Sequence, residues 1–162
     1  VDPNSGQLYI GDVGWTLWEE INAAGAGANF GWPYYEGGNG VSTRTGRYEN
    51  LPEAQDFYAS GTPVTASLLG LNHITDGINA IVMGDVYTGN VYDAQYQGDL
   101  FFNDLGQGIV RNISFDEAGN IESIDTFDTN SAFVVQMAEG PDDLLYYVNL
   151  VQGTVGRWTV DA

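Results

Sequence analysis

Cysteine and lysine are both missing from this 162-residue chain. Without cysteine there is no disulfide framework and no zinc–thiolate site. Without lysine, the cations are Arg44, Arg47, Arg111 and Arg157, set against 22 acidic side chains for a net charge of −18. A nucleic-acid partner is therefore not expected, because phosphate binding needs a positive footprint. Self-repulsion on this scale is relieved by divalent cations, high salt or a cationic partner. The simplest reading is an acid-rich, solvated surface of halophilic or marine type. No apolar run approaches the roughly 20 residues of a membrane-spanning helix, so no membrane span is expected. Helix signals are sparse too; the best is a short turn near Leu51 to Tyr58, where Pro52 suits the first helical position.

Glycine, at 22 residues, is about twice its usual share, and aromatics are plentiful. The densest mixture is Gly11 to Pro33, reading GDVGWTLWEEINAAGAGANFGWP. Rigid glycine turns there alternate with large tryptophan surfaces. One pattern recurs along the chain: Leu8-Tyr9-Ile10-Gly11-Asp12, Leu100-Phe101-Phe102-Asn103-Asp104 and Leu145-Tyr146-Tyr147-Val148-Asn149, spaced 92 and then 45 residues apart. A period near 45 residues built of short strands and turns is the mark of a β-propeller blade. Strands are predicted at 108–115, 121–127, 133–137 and 154–160, and Asp116 to Asn120 reads as a hairpin loop. The chain divides into a first blade at 1–36, an irregular insertion at 37–76, a blade at 77–115 and a terminal blade at 116–162. The fold class is all-β, a partial propeller of antiparallel four-stranded blades.

Four blocks carry a resemblance: the Gly11 to Pro33 stretch, Ile81 to Gly89, Tyr96 to Asp104 and Gly140 to Tyr147. In this order they resemble the glucose/sorbosone dehydrogenase family, soluble quinoproteins that use pyrroloquinoline quinone (PQQ). The resemblance implies a six-bladed ring, of which this chain holds about three to three and a half blades. It implies PQQ and Ca²⁺ as cofactors, with Gly14 and Trp15 at the positions whose backbone carbonyls face the metal and the quinone. Asp12 and Glu20 are candidate metal ligands beside them, since Ca²⁺ takes hard oxygen donors. Glu19 alternates with Glu20 along a strand, so the two point to opposite faces.

The family's cationic grips on the quinone fall at Gly106, Gln107, Phe133 and Val135, where this chain has no cation; Arg111 lies nearby in sequence. The family's catalytic histidine would precede Val1, so no catalytic residue is expected in this segment. His73, the only histidine, reads as a structural loop residue. Asn112-Ile113-Ser114 is a sequon in a predicted strand, which makes Asn112 a candidate glycosylation site. O-linked sugar is conceivable in the Ser42 to Thr65 loop.

Starting on Val1-Asp2-Pro3 suggests a mature, processed or partial chain. Half a ring exposes blade faces and strand edges, so the expected partners are the remainder of its own propeller or identical copies, with carbohydrate as ligand. The leading expectation is the C-terminal part of an extracytoplasmic sugar dehydrogenase, supplying pocket wall and a calcium-proximal turn. The competing one is a non-catalytic extracellular propeller module used for binding or for assembly into a surface structure or fibre.

Overall fold

A computed structural model describes residues 1–37 and 42–160. The chain separates into two compact units, Gln7–Ala80 and a second built from Ile81 onward together with Val1–Gly6. Among the described residues all strand pairs are antiparallel, in sheets of two to four strands, with one α-helix. No helix is long and apolar enough to cross a membrane among the described residues.

In the first unit, β1 (Tyr9–Val13), β2 (Trp18–Ala23) and β5 (Leu69–Asn72) form one sheet in the order β1-β2-β5. A two-residue ladder joins β3 (Tyr35–Glu36) to β4 (Thr43–Arg44). Helix α1 (Pro52–Ser60) starts on Pro52, as its fixed φ favours, and stops at Gly61, whose φ of 67° is left-handed. Its Phe57 and Tyr58 pack on Tyr34 and Tyr35 with ring centroids 5.1–6.2 Å apart. The segment expected to be irregular, 37–76, thus carries β4, α1 and β5. Strand β5 escaped notice because Leu-Gly-Leu-Asn offers only two apolar side chains. Residues 38–41 of that segment lie outside the described residues.

In the second unit, β6 (Ile81–Val86), β7 (Leu100–Asp104), β8 (Val110–Phe115) and β9 (Ile121–Asp128) form a four-stranded meander in chain order. A three-stranded meander follows: β10 (Val134–Glu139), β11 (Leu145–Asn149) and β12 (Thr154–Arg157). Strand β9 closes the first sheet, so the boundary expected at 115/116 cuts the β8–β9 hairpin; the sheets divide after Asp128. Asp116 to Asn120 make the hairpin loop between β8 and β9, as expected, with Gly119 at φ 81°.

All three copies of the recurring pattern are strands, β1 at the edge of its sheet and β7 and β11 inside theirs. β1, β7 and β11 each pair antiparallel with the next strand in the chain. β7 and β11 also pair with the strand before. Between the two sheets sits the core of Tyr87, Tyr92, Phe101, Val110, Val134, Met137, Leu144 and Leu145. Burying such side chains contributes about 1.5–3 kcal/mol each.

Candidate functional site

The site is built on the turn that joins β1 to β2. Asp12 and Glu20 face one another across the ladder, so their side chains share one face of the sheet. Glu36, brought in by β3, holds the turn itself. Its Oε1 accepts from the Trp15 N–H at 2.6 Å and the Thr16 N–H at 3.2 Å, and its Oε2 accepts from the Thr16 hydroxyl at 2.9 Å. Glu20 in turn accepts from the Gly37 N–H. Both carboxylates are buried, with Glu20 7% and Glu36 2% exposed.

Two glycines make this closeness attainable. A Cβ on Gly14 would overlap the Trp18 carbonyl oxygen, and one on Gly37 would overlap the Trp18 ring. Gly37 also holds φ at 49°, a conformation that other residues adopt only at a cost.

Burial, with like charge nearby, raises the pKa of two carboxyls here. Asp12 is pushed up first by burial and then by the Glu36 charge. Glu20 is pushed up first by burial; the hydrogen bond from the Gly37 N–H opposes this, and the charges of Asp12 and Glu36 add to it. A raised carboxyl pKa means that the folded state binds the proton more tightly than the unfolded chain does. The stability tied to that proton is present at low pH and is lost as pH rises from the ordinary carboxylate value through the raised one. Asp12→Asn is therefore expected to raise the melting temperature at neutral pH, with the gain shrinking below the ordinary carboxylate range. Thermal melts of both proteins across that range check this; a gain of equal size at every pH, or a loss, contradicts it.

Glu19 and Glu20 do face apart. Glu19 is fully buried, and its Oε1 lies 2.8 Å from Nε2 of His73. His73 thus belongs to a half-buried pair tying the β5 end of the sheet to β2, as a structural loop residue would. Hydrogen bonds to charged groups contribute about 1.5–3 kcal/mol. His73→Leu is expected to lose about that much in urea unfolding, and His73→Gln to lose less. Equal losses for the two variants would contradict the hydrogen bond's role.

Beside the turn lies an aromatic surface. Trp15 is 53% and Trp32 44% exposed, and both pack edge-on against Tyr48, at 6.2 and 6.4 Å. The Arg47 guanidinium sits 5.1 Å from the Trp15 ring centroid, within cation–π range.

The remaining candidates fall elsewhere. Gly106 and Gln107 donate their N–H groups to Asp104 at 3.1 and 2.6 Å, and Arg111 donates to the Gln107 side chain at 2.7 Å. Phe133 is 44% exposed with φ of 63°. Asn112 is only 3% exposed on β8, and the amide that would carry a glycan donates to Asp99 at 2.7 Å.

The structure therefore brings Asp12, Gly14, Trp15 and Glu20 together and adds Glu36 and Arg47. Among the described residues no three His, Cys, Asp or Glu side chains are arranged as a metal cage. What the turn carries is oxygen, the cross-strand carboxylates of Asp12 and Glu20 and its own backbone carbonyls, while Glu36 is spent on the turn's N–H groups. That chemistry suits a hard cation as part of a larger site. An anionic, tricarboxylate quinone fits less well, since buried anions need positive partners, and the described residues place one guanidinium, Arg47, at this turn.

Residues 1–156 match the Glucose / Sorbosone dehydrogenase family. Among solved structures, one titled glucose dehydrogenase matches with TM-score 0.64 at 20% identity, over 90% of this chain and 38% of its own. The soluble aldose sugar dehydrogenase of Escherichia coli, in its apo form, matches with TM-score 0.63 at 22% identity, over 90% of this chain and 39% of its own. The PQQ-bound aldose sugar dehydrogenase of Streptomyces coelicolor matches with TM-score 0.57 at 16% identity, over 91% of this chain and 35% of its own. At these identities the likeness is one of fold. No curated protein matches the sequence. The chain spans well under half the length of the structures that it resembles.

Proposed function

Because the chain belongs to the Glucose / Sorbosone dehydrogenase family, we propose that it is one part of an extracytoplasmic propeller that oxidises aldose sugars. In this reading it supplies pocket wall and a calcium-proximal turn and does not catalyse alone. The observation that carries the reading is the turn itself: Glu36 pins the backbone of Trp15 and Thr16, and Asp12 and Glu20 stand as a cross-strand pair beside it.

PQQ, when bound, would accept the electron pair from the sugar. In this chain the carbonyls of Gly14 and Trp15 would help hold Ca²⁺, the nearby carboxylates would balance its charge, and Trp15, Trp32 and Tyr48 would serve as wall. The rest of the ring, or other copies of the chain, would complete the packing and provide the cationic grips missing at positions 106, 107, 133 and 135.

The test is dye-linked aldose oxidation. The complete polypeptide loaded with PQQ and Ca²⁺ is expected to reduce the dye, and the 162-residue chain alone to give none. Neither a quinone spectral shift nor sugar oxidation in the complete polypeptide would dismiss the reading.

A further inference from the structure

The second unit carries a cleft that the dehydrogenase reading does not use. It measures about 460 Å³, and its walls include Tyr92, Asp93, Tyr96, Phe127, Asp128 and Trp158. The Phe127 ring stands at 68°, 89° and 78° to those of Tyr92, Tyr96 and Trp158, with centroids 5.3, 5.4 and 6.1 Å apart. Two of the polar tips are turned into the protein. The Tyr92 hydroxyl donates to the Trp158 carbonyl at 2.8 Å, and the Trp158 indole N–H donates to Ser131 Oγ at 3.2 Å. What is left to a ligand is ring surface beside the two aspartates, with Thr159 and Val160 completing the lining.

The charge at the cleft has one sign. Asp93 is exposed at its rim. Asp128 is held in place by the Ser131 hydroxyl and the Asn130 N–H, both of which donate to its Oδ2. No arginine or histidine lines the cleft among the described residues. An anion would be repelled, and a neutral polyol would find few side-chain donors. A cation with a greasy coat gains twice, from ring faces that carry negative quadrupole and from two carboxylates. A hard metal ion gains little from rings and would keep its water.

We propose that this cleft binds an organic cation of the alkylated ammonium class, walled by Tyr96, Phe127 and Trp158 and countered by Asp93 and Asp128. The inference stands apart from the dehydrogenase reading and survives its failure.

Calorimetric titration of the complete polypeptide with choline, with its neutral isostere 3,3-dimethylbutan-1-ol and with glucose tests it. Choline is expected to bind saturably and at least tenfold more tightly than the neutral isostere. The double variant Asp93→Asn, Asp128→Asn is expected to weaken choline at least tenfold with the isostere unchanged. If the double variant does not fold, Asp93→Asn alone decides, since Asp93 is exposed and its bond to the wall, from the Tyr96 N–H to its backbone carbonyl, does not involve the carboxylate; a threefold or greater loss is expected. Equal binding of choline and isostere, preference for glucose, no saturable binding, or indifference to the aspartate changes would each overturn the proposal.

Discussion

Phe101→Ala is expected to remove about 3–5 kcal/mol of unfolding free energy from the second unit, the usual cost of deleting a large buried aromatic. Phe101 lies on β7, fully buried. Its ring meets Tyr87 and Tyr96 at 6.2 Å and Phe127 at 5.1 Å. Each such pair adds about 0.5–1.5 kcal/mol beyond the area it hides, and close packing leaves no neighbour free to fill the void. Phe101→Leu keeps most of the volume and is expected to cost less than half as much. Urea titrations of the two variants followed by circular dichroism measure both. A loss below about 1 kcal/mol for the alanine variant would mean that the two sheets do not share this core.

Glu36→Ala is expected to cost about 2–4 kcal/mol and to disorder the turn from Gly14 to Leu17. Its carboxylate accepts from two backbone N–H groups and one hydroxyl of that turn, and bonds to a charged acceptor contribute about 1.5–3 kcal/mol each. They act as a unit, so the sum is less than three full bonds. Relief of repulsion with Asp12 and Glu20 offsets part of the loss. Glu36→Gln separates the two effects, because the amide oxygen still accepts the backbone bonds while the charge is gone. It is expected to retain most of the stability and to lower Asp12 and Glu20 toward ordinary carboxylate behaviour. Urea unfolding with amide exchange at Trp15 and Thr16 reads both. Equal losses for Ala and Gln would show that charge, not bond geometry, is what Glu36 contributes.

What the sequence made legible depended on how local each feature is. The Leu-aromatic pattern at residues 8–12, 100–104 and 145–149 announced β1, β7 and β11 because a strand and its following hairpin partner lie within a few residues of each other. Pro52 and Gly61 bracket α1 through backbone preference alone. Asp12 and Glu20 were recoverable for the same reason, since one tight turn sets their register. Glu36 was not. It reaches the turn from a ladder of two residues, too short to leave an alternating pattern, and its partners Trp15 and Thr16 are backbone donors that no side-chain motif records. Arg47 was visible only as one of four cations, and its place over Trp15 depends on long-range packing. Residues 116–120 were legible as a hairpin loop, but a boundary drawn at 115/116 does not follow the sheets, because pairing across that loop keeps β8 and β9 in one sheet.

The account's central claim is that these blades work in company. Val1, Ile74, Leu150, Val151 and Val155 are each 63–78% exposed, and apolar surface left on strand edges and loops favours association. Sedimentation velocity of the isolated 162-residue chain over a hundredfold range of concentration tests it directly. Growth of species heavier than 17.5 kDa with concentration is the predicted result. A compact monomer of that mass at every concentration would contradict it.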